Sequence, residues 1–547
     1  MNFIRRAVLR LLLIGLLSPW LGAAAPADLA PRLDAIFARW DKPGSPGVIV
    51  GVARAGQVLH ARGYGQANLE HAIPLAAESV SESGSVAKQF TAAAVALLAV
   101  REKLSLDDPV RRYLPELSEE LAGGITVRML LNHTSGLRDI HGLFDLLGRP
   151  SYTAGHDNAE VLRVMSRQRS LNFPPGSEYL YCNASYILAA VIVERVSGEG
   201  FNAFCTRELF APHGLRQTRW RDDHAAIVPG RASGYEPIRG GGFRLDTPHS
   251  NLVGNGGLLT TVGDLLRWNA GFDGATGEWA KVVRLLQTRA QLSDGRTLDY
   301  ALGLMVDDTP GQSQIFHGGA TSGYRTFLTR YPDHGLDIAV LANVADFDAT
   351  AAARQIARIV LELPPPPAPP ARDPGRAGDA ADWAGLYHCG QTDELLRLAS
   401  RAGRLTAGST ALVATGPQTF ATASGRTTYA FAGTARAPGR QLTLQATNGT
   451  THYVAVAEVA PAPDALAAYS GLYYSEELDV TRRIEVQRGK LVFSFWPAAP
   501  VAATPTFADG FQAPGGWHAT FVRDSAGRIT GVVLSNGRCR RVKFVRR

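Results

Sequence analysis

Gly84-Ser85-Val86-Ala87-Lys88-Gln89-Phe90 is the stretch on which the reading of this chain turns. Phe90, Ala93, Ala94, Leu97 and Leu98 follow it at helical spacing, so Ser85 opens a buried helix. A serine and a lysine three apart share one face of such a helix, which lets the lysine polarise the hydroxyl. The amides at a helix start also carry positive partial charge toward whatever the serine attacks. Taken alone, the pair has an ordinary explanation: serine is a good helix cap and lysine a good surface residue. A nucleophilic reading needs company elsewhere in the chain.

Two further groups supply it. Tyr181-Cys182-Asn183 follows the turn Pro174-Pro175-Gly176-Ser177 and precedes a helix expected from about Ser185. On an extended segment Tyr181 and Asn183 point to the same side. There a phenol can relay protons and an amide can bind a substrate carbonyl. Further on, His317-Gly318-Gly319-Ala320 leads into a strand pattern after Gly323. Glycines let a backbone run close to a substrate, and Ala320 offers an amide to an oxyanion. Singly, these read as a core tyrosine with a turn asparagine and as a Gly-rich turn. In combination and in this order they point to one catalytic cleft.

With these three groups in this order the chain resembles the serine β-lactamase and penicillin-binding-protein superfamily, in its class C-like branch of esterases and D-aminopeptidases. That family is marked by S-x-x-K, Y-x-N and then K-T-G or H-x-G in chain order. Leu104–Val110, Leu130–Leu137 and Gly256-Gly257-Leu258 share its texture, and the resemblance covers about residues 30–361. It implies an α/β β-lactamase-like domain, an antiparallel sheet with helices plus a helical subdomain. It also implies Ser85 as nucleophile, Lys88 as its partner and Tyr181 as acid/base for the leaving group. Asn183 would hold the acyl side, with His317, Gly318 and Gly319 along the substrate and the Ser85 and Ala320 amides as oxyanion hole. Lys88 and Tyr181 both remain candidates for the first proton; a lysine needs a lowered pKa to serve.

One departure bears on substrate. His317 stands where the penicillin-handling members usually carry lysine, and a histidine near neutrality suits a substrate carboxylate less well than a fixed charge. The resemblance thus favours a serine hydrolase of small amides, D-amino-acid peptides or esters, D-aminopeptidase-like. The alternatives are a β-lactamase or DD-peptidase, or a non-catalytic protein binding peptidoglycan or another ligand. The presence of Ser85, Lys88, Tyr181 and Asn183 together opposes the last. His133 and Asp139, near a motif, read as structural.

Composition bounds the rest. The 547 residues are too many for one domain of about 150. With 45% hydrophobic residues the chain can build real cores, and 19% charged residues argue against a coiled coil. The net charge of +7 is spread thinly, so nucleic acid is not an expected partner. A small-molecule or short-peptide substrate is. Arg5, Arg6 and Arg10 precede the apolar run Leu11–Leu17 and the small residues Gly22–Ala25, the order of a secretory signal spanning residues 1–25. No second such run follows, so a periplasmic or secreted protein without stable membrane insertion is expected. Cys182, Cys205, Cys389 and Cys539 allow three disulfide pairings. No Cys/His cluster has zinc spacing, so neither a metal nor a cofactor is expected.

Val48–Ala53 and Val58–Tyr64 read as strands around Ala55-Gly56, and Tyr324–Tyr331 and Leu336–Asn343 as strands around Pro332–Gly335. A helix over Ala349–Leu361 ends at prolines. Distant segments thus close one sheet, giving a catalytic domain over 26–363 and a stiff proline-rich linker over 364–380. Beyond it Trp383-Ala384-Gly385-Leu386-Tyr387 recurs as Tyr469-Ser470-Gly471-Leu472-Tyr473, predicting two small antiparallel β-barrels over 381–460 and 464–547. The barrels offer surface for solubility or for homodimer formation; the resemblance to D-aminopeptidases implies instead that they cover the cleft, with one loop reaching toward it. Trp496–Trp517, with Asp509, is the stretch expected to reach it. The basic residues from Arg538 to Arg547 alternate with Val542 and Phe544, as on a last strand with a solvated face.

Overall fold

The computed structural model describes residues 28–309, 311–364, 380–446, 449–459, 461–494 and 500–547. The expected export signal, and nearly all of the proline-rich linker, lie outside the described residues.

Among the described residues, six antiparallel strands form the sheet of the first unit. They run in the order Met305–Asp307, Gln314–Thr321, Tyr324–Tyr331, Leu336–Ala342, Val48–Arg54, Gln57–Tyr64. Val48–Arg54 is buried at every position but the last, and Leu336–Ala342 throughout, which is why both read as nearly unbroken apolar runs. The hairpin between the first two strands turns on Ala55 and Gly56, both at positive φ, as the tight two-residue turn that matches strand twist requires.

One face of the sheet carries the helices Leu29–Phe37 and Ala349–Val360. The second buries Ala349, Ala352, Ala353, Ile356 and Ala357 at helical spacing, and Asp348 caps its start by accepting from the Ala351 N–H. Toward the other face lie Val262–Ala270 and the helix Lys88–Val100, whose residues from Lys88 to Leu98 are all buried. The helical part follows, with Ile140–Leu146, Asn158–Arg167 and Asn183–Ser197.

Each C-terminal unit is a nearly closed antiparallel barrel with nine strands among the described residues. The two share their strand order. Gly385–Cys389 pairs with Glu394–Arg401 and Gly449–Val456; Gly471–Ser475 pairs with Val480–Gln487 and Cys539–Arg546. The sequence repeat has a structural meaning too. The Tyr387 hydroxyl donates to the Trp383 carbonyl at 2.7 Å and the Tyr473 hydroxyl to the Tyr469 carbonyl at 2.8 Å, the same bond in both barrels.

The second barrel docks on the helical part. Arg138, buried, donates to the Arg540 and Arg541 carbonyls and pairs with Glu477 at 2.8 Å, while Arg540 pairs with Glu178 at 2.9 Å. The last strand does alternate as expected, burying Val542 and Phe544, but Arg540 is buried rather than solvated. Asp509, expected to reach the cleft, instead binds Tyr469 and Arg523 within its own barrel. All four cysteines are buried and unbridged.

Candidate active site

Ser85 lies in a tight helical turn, Gly84–Ala87, that runs directly into Lys88–Val100. In such a turn residues three apart nearly eclipse one another, and Lys88 Nζ stands 3.1 Å from Ser85 Oγ. The turn is wedged against the strand Gln314–Thr321. A Cβ on Gly84, which has φ +51°, would sit 2.7 Å from the Ala320 nitrogen; one on Gly319 would sit 2.2 Å from the Ser83 carbonyl and 3.1 Å from the Ser85 nitrogen. Glycine at both positions is what lets the Ser85 and Ala320 amides converge.

Lys88 is wholly buried, and burial drives its pKa well below the usual lysine value. Asp139 pulls it back up, and Arg538 pushes it further down. Nζ lies within hydrogen-bond reach of three oxygens. Nζ is 2.9 Å from Asn183 Oδ1 and 2.6 Å from the Asn255 carbonyl, two oxygens that only accept. A neutral amine has two N–H donors, and these two oxygens take both. In that neutral form the lone pair accepts from the Ser85 hydroxyl; in the ammonium form the third N–H donates to Ser85 Oγ.

Asn183 is oriented by Asp139, whose Oδ2 accepts from the Asn183 backbone N–H at 2.6 Å and from Nδ2 at 2.9 Å. That fixes Oδ1 toward Lys88. The helix Asn183–Ser197 starts two residues before the expected Ser185, because Asp139, from another element, satisfies its first N–H. Tyr181 lies two residues before it, next to the extended Cys182, its ring 4.7 Å from Lys88 Nζ. Burial raises the Tyr181 pKa, and the Ser85 hydroxyl nearby lowers it in part, so the phenol is neutral.

His317 belongs to a directional hydrogen-bond chain. The Cys182 N–H donates to His133 Nδ1 at 3.1 Å, which leaves His133 Nε2 to donate to the Tyr300 hydroxyl at 3.1 Å. Tyr300 then donates to His317 Nε2 at 3.1 Å, and His317 Nδ1 donates to the Gly318 carbonyl at 2.6 Å. Every partner is satisfied with both histidines neutral. Burial pushes His317 down to about 3, in keeping with that. His133, read as structural from sequence, is buried and braces the Tyr181–Asn183 segment. Asp139, read likewise, touches Asn183 itself.

Ser85, Tyr181, Asn183, His317, Gly318, Gly319 and Ala320 line one cleft of about 590 Å³, with Lys88 buried beneath Ser85. Residues spread over more than two hundred positions therefore meet. The cleft also holds residues that sequence reading passed over: His141, Tyr152, Arg325 and Arg538. Arg538 is on the hairpin between the last two strands of the second barrel, and its guanidinium carbon lies 4.9 Å from the Tyr181 ring centroid. No local motif marked it. Chemically, the arrangement offers a hydroxyl beside a buried amine of lowered pKa, a neutral phenol and two neighbouring amides. These are the parts of an acyl transfer.

Comparison with known proteins agrees. A family model described as Beta-lactamase matches residues 33–362. The D-aminopeptidase of Brucella ovis is 27% identical over 517 residues, spanning 92% of this chain and 96% of its own length. That of Brucella anthropi is 26% identical over 516 residues, with 92% and 95% covered. Among solved structures, the octameric penicillin-binding protein homologue from Pyrococcus abyssi aligns with a TM-score of 0.54 at 20% identity, over 78% of this chain and 99% of its own. The D-amino acid amidase from Ochrobactrum anthropi SV3 aligns with 0.50 at 22%, over 61% and 98%. At these identities the two structures establish a shared fold.

Proposed function

From the premise that this chain belongs to the beta-lactamase family, we propose that it is a serine hydrolase of D-aminopeptidase type, cleaving small amides and short peptides with an N-terminal D-residue through an acyl-enzyme on Ser85. The observation that carries this is the placement of Lys88, fully buried with Nζ 3.1 Å from Ser85 Oγ, where burial lowers its pKa. In its neutral form, with both N–H groups held by Asn183 and Asn255, the amine can accept the Ser85 proton.

The geometry supports the following steps. Ser85 Oγ attacks the substrate carbonyl while its proton passes to Lys88 Nζ. The carbonyl oxygen takes negative charge between the Ser85 and Ala320 amides, which are fixed before reaction and so need no reorganisation. Tyr181, neutral because buried, donates its proton to the departing nitrogen as the C–N bond breaks. The lysine proton then restores the phenol. A water molecule opens the Ser85 ester by the same steps in reverse, and Asn183 holds the acyl side throughout. The near full-length likeness to the Brucella D-aminopeptidases supports D-residue amides as substrates; small esters, with a better leaving group, fit the same machinery. Arg5, Arg6 and Arg10 ahead of Leu11–Leu17 support action in the periplasm or outside the cell.

The test is a panel of D-alanine p-nitroanilide, its L enantiomer, p-nitrophenyl acetate and nitrocefin. Highest kcat/KM on the D-anilide supports the reading; turnover of nitrocefin above both anilides contradicts it.

A further inference from the structure

Arg538 is the cation of the cleft that the mechanism above leaves unused. Its position is built, since two bonds from the helical part hold its carbonyl. These are the Asp139 N–H at 3.2 Å and Asn172 Nδ2 at 3.0 Å. The next residue, Cys539, packs against the same loop, its thiol donating to the Asp139 carbonyl at 3.1 Å. The hairpin tip is thus pinned, and the guanidinium is laid over the Tyr181 ring. Among the described residues that guanidinium has no hydrogen-bond or carboxylate partner. The other arginine of the cleft, Arg325, is occupied differently: its Nη1 donates to the Ser322 and Tyr324 carbonyls, both at 2.7 Å. Asp348, at the start of the last helix of the first unit, is spent on capping it.

An unpaired arginine against an aromatic face at the mouth of a reaction cleft is suited to a planar anion, which it can grip with two parallel N–H bonds. His317, in the Gly-rich motif along the cleft floor, is neutral and cannot serve. The side of the cleft is set by Tyr181, since the departing nitrogen must reach that phenol to be protonated. A carboxylate one residue beyond that nitrogen lies about 3.5 Å further along the chain, within reach of a guanidinium lying over the same ring.

We infer that Arg538, delivered to the cleft by the second barrel, is a specificity-determining residue that binds the carboxylate of the leaving group, so that the preferred substrates are dipeptide-sized amides whose departing residue ends in a free carboxylate. This rests on the hydrolase reading given above. It also gives the second barrel a part in substrate choice: the barrel brings one charge to a cleft otherwise built by the first unit.

The test compares kcat/KM for D-alanyl-glycine and D-alanyl-glycinamide on the full-length protein, which differ only in that carboxylate. Wild type is expected to favour the acid by about tenfold or more. In Arg538→Gln the acid-to-amide ratio falls by about tenfold, and in Arg538→Lys, which keeps the charge but not the fork, it falls less. Arg538 sits on an exposed hairpin tip, and thermal melts of the variants check that the barrel stays docked. A wild type that turns over both substrates equally, or an Arg538→Gln variant with an unchanged ratio, overturns the inference alone. A wild type that turns over neither, and in which a fluorophosphonate does not label Ser85, overturns the hydrolase reading and the inference with it.

Discussion

A single oxygen of Asp139 accepts from both the backbone N–H and the side-chain amide of Asn183, and so decides which way the Asn183 carbonyl faces. Hydrogen bonds to a charged group are worth about 1.5–3 kcal/mol, which corresponds to roughly ten- to a hundredfold in rate. Asp139→Asn is therefore expected to lower kcat by about that range. Asp139 also favours the protonated form of Lys88. Removing its charge lowers the Lys88 pKa further, so the amine stays free to lower pH and the acid limb of the kcat/KM profile moves down. Steady-state kinetics across pH measures both effects.

Arg538 acts on Lys88 in the opposite sense, disfavouring the protonated amine, while Cys182 favours it. Arg538→Gln should raise the Lys88 pKa and move the same acid limb to higher pH. Opposite shifts in the two variants are the signature of Lys88 as the titrating base. Shifts of the same sign would assign the limb to another group.

Gly319→Ala places a Cβ against the Ser83 carbonyl and the Ser85 nitrogen. The strand must then retreat from the turn, parting the two amides proposed as the oxyanion hole. Loss of one such donor costs about 10²–10³-fold in kcat. That loss, together with a lowered thermal midpoint because the clash is with backbone, is the expected result.

Docking of the second barrel depends on Arg138 and Glu477. Burial raises the Glu477 pKa, but the Arg138 charge, the Arg169 N–H and the Ser170 hydroxyl outweigh it and hold it below the ordinary glutamate value. A carboxyl lowered in the folded state contributes stability that is present above its unfolded pKa, about 4.3, and is lost as pH falls through the folded value. Glu477→Ala leaves Arg138 buried without its partner, at a cost of about 3–5 kcal/mol. Unfolding at pH 7 should show that loss, and the variant's stability should fall less steeply below about pH 4 than that of wild type.

Much of this was legible in the chain. The strand Tyr324–Tyr331 has the bounds its pattern predicts, because its runs stop at a turn marked by Pro332 and Gly335. The echo of Tyr387 in Tyr473 proved to be one hydrogen bond kept in two barrels. What escaped reading depends on contacts between distant segments. The start of the helix at Asn183 is set by Asp139, and nothing local signals it. Arg538 and Arg540 sit in a run of basic residues that all look alike. Docking on the helical part turns one toward the cleft and buries the other against Glu178. Asp509 shows the converse: it was the one acid in a turn-rich stretch, yet Arg523 and Tyr469 of its own barrel claim it.

Ser85 as the nucleophile is tested most directly by intact-protein mass after incubation with a fluorophosphonate. Wild type is predicted to gain the mass of one phosphonyl group, mapped by peptide digestion to Ser85, and Ser85→Ala to gain none while melting as wild type does. Equal labelling of the two proteins, or a wild-type adduct mapped to another residue, would contradict it.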